Sequence, residues 1–181
     1  MILCISGFHG TGKTTVGKKV AERLNLDYYS TGQAFRDLAN EYKMNLEDFS
    51  KYVEDNPEID EKLDNKVIQM ARKKDDIVLE SLLSGYILQG KSDCSILLKA
   101  PLEIRVKRMV ERDNSDFKEK LKETKIREKS EIQRFIDLYN IDLTDRKLRS
   151  NVFDLIIDTE NLSVEEVVEK IINYLEKQKI I

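Results

Sequence analysis

One histidine, two cysteines and no excess of positive charge leave this chain short of several kinds of chemistry. With so few imidazole and thiol groups, a soft-metal cluster would want for ligands. Cys4 and Cys94 each sit inside an apolar run and read as core thiols rather than as a disulfide. A formal charge of −3 provides no broad attraction for nucleic acid, although a local basic cleft can still take a small phosphorylated ligand. No apolar run approaches the length of a membrane span. The first apolar stretch, Met1 to Ile5, has no basic segment before it and breaks into a glycine-rich turn, so it does not read as a secretion signal. Cytoplasmic residence is the expectation. Internal repeats and low-complexity linkers are also absent, which suits a single domain over residues 1–181 with one mobile excursion.

What is present is a charged exterior around an apolar core: 40% of the 181 residues are hydrophobic and 36% charged. Ile2 to Ile5 is a continuous β-compatible apolar run ended by a turn, and Val16, Val20 and Leu24 follow at helical spacing. Further strands are expected at Leu26 to Ser30, Ile77 to Leu79, Ser95 to Leu98 and Leu155 to Ile157. Between them lie helical segments. One is capped by Ser30 or Thr31 and carries Phe35, Leu38, Ala39 and Tyr42 on one side; others cover Leu46 to Val53 and Glu58 to Lys73, the latter begun by Pro57. Pro101 opens a helix, a longer helical region runs to about Tyr139, and Ser163 with Glu166 forms a capping box for the last helix. Strands alternating with helices predict an α/β fold, a mostly parallel five-stranded sheet with helices on both faces.

The chemistry begins at Gly7-Phe8-His9-Gly10-Thr11-Gly12-Lys13-Thr14, which matches the GxxxxGK[ST] phosphate loop and lies between a strand and a helix. Its glycines allow a turn that aims several backbone N–H groups at one anion, and the following helix adds the field of its N-terminus. Lys13 is expected at the β- and γ-phosphates of ATP and the Thr14 hydroxyl at Mg²⁺. Thr11 and Thr15 add hydrogen bonds or satisfy the turn, and His9 contacts solvent or shapes the loop. Glu80 follows a sheet strand and so belongs at the carboxyl edge beside the loop, placed to hold a Mg²⁺-bound water or orient an acceptor. Arg36, Arg127 and Arg134 are candidate phosphate clamps. Arg127 and Arg134, seven positions apart, share a helix face. That face suits a flap closing over two phosphorylated substrates and equally suits a solvated surface.

Taken as ordered blocks, ISGFHGTGKTTVGKKVAERL, STGQAFRDLA, NLEDFSKYVEDNPEIDEKLD, IVLESLLSGYI, KAPLEIRVKRMVERD, TKIREKSEIQRFIDLYNIDLTD and FDLIIDT, the chain resembles the archaeal type of cytidylate kinase within the nucleoside monophosphate kinases. The resemblance implies a P-loop three-layer fold with a helical lid, acceptor-binding helices at about 31–74 and the lid at about 112–139. It implies transfer of the γ-phosphoryl group of Mg·ATP to CMP or dCMP. Arg36, Asp64, Glu80 and Ser81 would then lie toward the acceptor, Arg127 and Arg134 would be lid arginines acting with Lys13, and Thr14 and Glu80 would serve Mg²⁺. Asp158 falls in a late nucleotide-proximal loop whose backbone helps position adenine. The chain departs from the family where arginine is common, at Ser81 in LESLLSGY and at Asn65 after Asp64; it carries Tyr86 where tryptophan is common. A small nucleoside monophosphate is the expected partner, with no nucleic acid, no membrane and a monomeric state. A kinase for AMP or UMP and a non-catalytic ATP-binding switch are the alternatives.

Overall fold

The computed structural model describes residues 1–73 and 75–181; position 74, where the expected acceptor segment ends, lies outside the described residues. Five parallel strands form one sheet in the order β2-β3-β1-β4-β5: β1 is Ile2–Ser6, β2 Asp27–Ser30, β3 Ile77–Glu80, β4 Cys94–Lys99 and β5 Leu155–Asp158. β1 is central, its neighbours being β3 and β4, so the loop after it opens where the connections part to either side. Register matters for the site. Ser30 and Glu80 end adjacent strands side by side, and Glu80 pairs with Ile5, one residue before the end of β1, which puts the end of β3 next to the turn that leaves β1.

The helices follow the apolar periodicity. On one face, α1 (Lys13–Leu24) and α9 (Val164–Lys177) pack Val16, Val20, Val168 and Ile171 onto Leu3, Ile5, Ile96 and Leu98. On the other, α4 (Glu58–Lys73) and the short α5 (Ser84–Ile87) cover Cys4, Ile77 and Leu79. Burial on both faces explains why the strands read as unbroken apolar runs. Helices α2 (Thr31–Glu41) and α3 (Leu46–Glu54) join α4 in a separate small core around Phe35, Phe49, Val53 and Leu63. Helix α6 (Leu102–Asp113) leads into the long α7 (Phe117–Tyr139), whose Phe135 packs with Tyr86, Leu143 and Phe153 beside α8 (Arg146–Val152).

Most expected elements are present. Ser30 caps α2, and Ser163 and Glu166 complete the capping box of α9. Both cysteines are buried free thiols, pushed up to about 12 by burial. Tyr86 is core, edge-on to Phe153 at 5.0 Å. Tyr42 keeps the expected side of α2: at the C-cap and 47% exposed, it rests its ring on the rim of the small core, 5.5 Å from Phe49 and from Tyr52. Helices α5 and α8 are additions, too short to leave a periodic signal. No helix among the described residues is long and apolar enough to cross a membrane.

Candidate active site

The loop between β1 and α1 is shaped by glycine where no other residue fits. Gly10 has φ +78°, and a Cβ there would stand 2.5 Å from the carbonyl oxygen of Arg105; Gly7 has φ +147° and backs onto the carbonyl of Leu98. The loop then enters α1 at Lys13, with Gly12 at the cap. The Lys13 ammonium donates to the carbonyl of Phe8 at 3.1 Å, and Thr11 Oγ1 donates to that same carbonyl at 2.8 Å. Thr11 therefore satisfies the turn. Phe8 lies beneath the Arg105 guanidinium, 5.3 Å from ring centroid to Cζ.

A cleft of about 990 Å³ opens at this end of the sheet. Loop residues from His9 to Thr15 line it, whereas Gly7 and Phe8 lie behind and shape the turn. Arg36, Asp64, Glu80, Ser81, Arg127 and Arg134 all reach the same cleft, although they come from α2, α4, β3, the turn after β3, and α7. Spacing alone left the face of Arg127 and Arg134 undecided; packing turns it inward.

Glu80 is the most heavily held acidic group. Its Oε2 accepts from Ser30 Oγ (2.6 Å), Tyr28 OH (2.9 Å) and Thr14 Oγ1 (3.1 Å), while Oε1 stands 3.8 Å from Lys13 Nζ. Burial alone would raise its pKa, but Lys13 and the three hydroxyls outweigh that and hold it below the usual carboxylate range. Lys13 is itself lowered by burial, with Glu80 opposing the shift. Thr14 and Glu80 thus set two hard oxygen donors side by side, 3.1 Å apart. No group of three or more His, Cys, Asp or Glu residues among the described residues forms a metal cage. That donor set fits Mg²⁺, which keeps several waters and takes further oxygens from substrate phosphates.

The lid-side wall is an ionic lattice. Arg127 Nε donates to Glu131 Oε1 at 3.0 Å, Arg134 Nε to Asp60 Oδ2 at 2.7 Å, and Tyr139 OH to Asp64 Oδ2 at 3.0 Å. The anchors on α4, Asp60 and Asp64, are 6% and 7% exposed. Asp64 is pushed up to about 7 by burial, with Asp60 adding repulsion and only the Tyr139 hydroxyl opposing. Asn65, one position on, is exposed and outside the cleft. Ser81 lines the cleft, but its Oγ accepts from the backbone N–H groups of Leu83 (2.9 Å) and Ser84 (2.6 Å), so it mainly turns the chain into α5. Arg36 is held lightly, donating to Gln33 Oε1 at 3.0 Å.

Several cleft groups escaped the sequence reading. Thr31 brings a hydroxyl with no partner among the described residues. Arg108 holds Thr159, through NH1 to Oγ1 at 2.9 Å, and both line the end of the cleft beside α9. Asp158 forms a 3.0 Å surface pair with Lys99 and does not line the cleft; its neighbour Thr159 does. Asp60 and Glu131 carried a usable signal: each occupies the buried phase of its helix, Asp60 among Ile59, Leu63 and Val67, and Glu131 with Thr124 and Phe135. Carboxylates at buried positions are costly and rarely placed there without a task.

Comparison with known proteins agrees with this geometry. The sequence model of the Cytidylate kinase-like family matches residues 2–161. The chain is 42% identical over 170 residues to a cytidylate kinase of Methanocaldococcus jannaschii, covering 92% of this chain and 93% of that one. To a cytidylate kinase of Sulfurisphaera tokodaii it is 39% identical over 175 residues, covering 97% and 95%. Among solved structures, an uncharacterized protein from Eubacterium ventriosum superposes with a TM-score of 0.69 at 21% identity, covering 97% of this chain and 98% of that one. Shikimate kinase from Acinetobacter baumannii superposes with a TM-score of 0.64 at 15% identity, covering 99% and 95%. At those identities the structural likeness speaks for the fold alone.

Proposed function

Because the chain belongs to the cytidylate kinase-like family, we propose that it transfers the γ-phosphoryl group of ATP to CMP or dCMP, giving ADP and CDP or dCDP. The observation that carries this reading is the meeting of Lys13, Thr14, Glu80, Arg127 and Arg134 on one cleft with room on both sides of the phosphate loop. ATP takes the side bounded by Thr159, Leu162 and α9, and the acceptor takes the side bounded by α2 and α4. A monomer is sufficient for the reaction, since every group invoked comes from one chain.

The loop amides and Lys13 receive the β- and γ-phosphates. Thr14 and Glu80 would hold Mg²⁺, directly and through water, which supplies charge neutralisation when bound. Arg127 and Arg134 offer planar donors to the equatorial oxygens in flight, and Arg36 and Thr31 stand at the acceptor phosphate. No residue needs to act as a general base, because the acceptor phosphate brings its own nucleophilic oxygen. Closure of the lid, about residues 112–139, over the acceptor helices at about 31–74 excludes the water that would otherwise compete.

Choice of base falls to Asp64. An ionised carboxylate accepts the exocyclic amine of cytosine, whereas uracil presents a carbonyl at that position, and two acceptors facing each other repel. The loss of arginine at Asn65 concerns an exposed position and leaves this contact intact. Initial rates with ATP against CMP, dCMP, UMP and AMP, with products separated, are expected to rank the two cytidine nucleotides first. Turnover of AMP or UMP without CMP or dCMP would overturn the assignment, and ATP binding without turnover of any acceptor would favour a switch.

Asp64→Asn tests the base contact and a stability consequence together. Loss of a charge-assisted hydrogen bond is expected to lower kcat/KM for CMP by about 10- to 100-fold. The same change should stabilise the fold at alkaline pH. In the folded protein Asp64 titrates at about 7 and in the unfolded chain near the ordinary aspartate value of 3.8. Between those values the native state binds the extra proton, so stability falls as pH rises, and the cost is complete above pH 7. Asparagine removes that cost. A gain of roughly 2–4 kcal/mol, or roughly 5–10 °C in Tm, is expected at pH 8 and little near pH 4. Equal melting of the two proteins at both pH values would show that Asp64 carries no such burden.

A further inference from the structure

Glu131 has no part in the transfer described above, yet it is 4% exposed in the middle of α7. Two groups from different parts of the chain meet it. His9, in the phosphate loop, brings Nε2 within 2.7 Å of Oε2, and Arg127, one turn back on α7, brings Nε within 3.0 Å of Oε1. Burial would raise the carboxyl, but His9, Arg127 and Arg134 hold it down at about 2, so it accepts both bonds as an anion. Burial lowers the imidazole's pKa while Glu131 opposes the shift, and because a carboxylate only accepts, Nε2 carries the proton and donates. His9 is also held by its backbone, since Arg105 NH1 donates to its carbonyl at 2.9 Å while the same guanidinium pairs with Glu128 of α7. One loop residue is thus gripped twice, by α7 through Glu131 and by α6 through Arg105.

The bond to Arg127 has a directional effect. Engaging Nε fixes the plane of the guanidinium and leaves both terminal nitrogens outside that bond, free to serve phosphate oxygens. The bond to His9 ties the same carboxylate to the loop that holds the donor phosphates. We propose that His9 and Glu131 form a latch, a positioning pair that docks the lid helix on the phosphate loop and aims Arg127 at the transferring group. The latch rests on the phosphotransfer reading, and of its two predictions the second is one that a merely structural contact would not make. Breaking it should loosen α7 in the ligand-free protein, and it should lower kcat much more than it raises KM for ATP, because the aim matters in the transition state.

The test uses the full chain with His9→Ala, His9→Gln, Glu131→Gln and the double variant H9A/E131Q. Hydrogen exchange of the α7 amides without ligand is expected to quicken in H9A and E131Q. A fall in kcat of about 10- to 100-fold is expected for each, and the double variant should be no worse than the worse single one, since both remove one device. H9Q retains an N–H donor at similar reach and should recover most of the lost kcat; it also keeps the test open should H9A fold poorly. Unchanged exchange, losses that multiply in the double variant, or H9Q as slow as H9A would overturn the latch. Exchange requires no turnover, so the latch can stand or fall separately from the choice of CMP as acceptor.

Discussion

Replacing Arg127 with alanine is expected to lower kcat for CMP phosphorylation by about 10³-fold or more, the scale at which an arginine that stabilises a transferring phosphoryl group acts. The charge redistributed over the phosphate oxygens has to be matched by donors already in place, and a water entering the vacated space would cost reorganisation at each turnover. Arg127→Lys should recover little, because a single ammonium cannot reproduce a planar fork held by Glu131 through Nε. Folding should survive in both variants. Glu131 keeps its bond from His9, and Arg127 is partly exposed rather than deep in the core. Initial rates at saturating ATP and CMP, together with Tm, check the expectation. A loss smaller than 10-fold in a folded R127A protein would return this arginine to the role of a surface ion-pair partner.

Lys13→Met is expected to cost about 10³-fold in kcat while leaving the protein folded. Methionine, of similar length and without charge, fills the space of the buried lysine side chain. Glu80 keeps the hydroxyls of Ser30, Tyr28 and Thr14 and is not stranded. The whole loss should therefore fall on the phosphates. Kinetics and ATP binding measured on the same preparation separate the two outcomes: binding retained with turnover lost supports a charge that acts in the transition state. Near-normal turnover would remove Lys13 from the centre of the mechanism.

How much of this was legible beforehand depended on how far along the chain each relation extends. The phosphate loop is local: eight consecutive residues between a strand and a helix state their own geometry, and the structure keeps it. The strands and the capping box were equally plain, since apolar run, turn and cap lie within a few residues of one another. Helices α5 and α8 were not, because seven residues or fewer leave no period to read. The face presented by Arg127 and Arg134 was undecidable from a charged segment whose either side could have met solvent. Only the packing of Phe135 beneath α7 turned those guanidinium groups inward.

The sequence by itself determined the loop: a strand, a glycine-shaped turn, a lysine and a threonine, whose placement follows from backbone geometry that no distant residue has to supply. Tertiary structure decided the rest. His9 and Glu131 are 122 positions apart, Arg134 and Asp60 are 74, and Thr14 and Glu80 are 66. Their meeting depends on strand order and on which phase of α4 and α7 faces the cleft, quantities fixed by packing among elements rather than by spacing within any one of them. Asp64 and Asn65 make the point at the smallest scale: adjacent and both polar, one lines the cleft and the other meets water, because a helix turns about 100° between them.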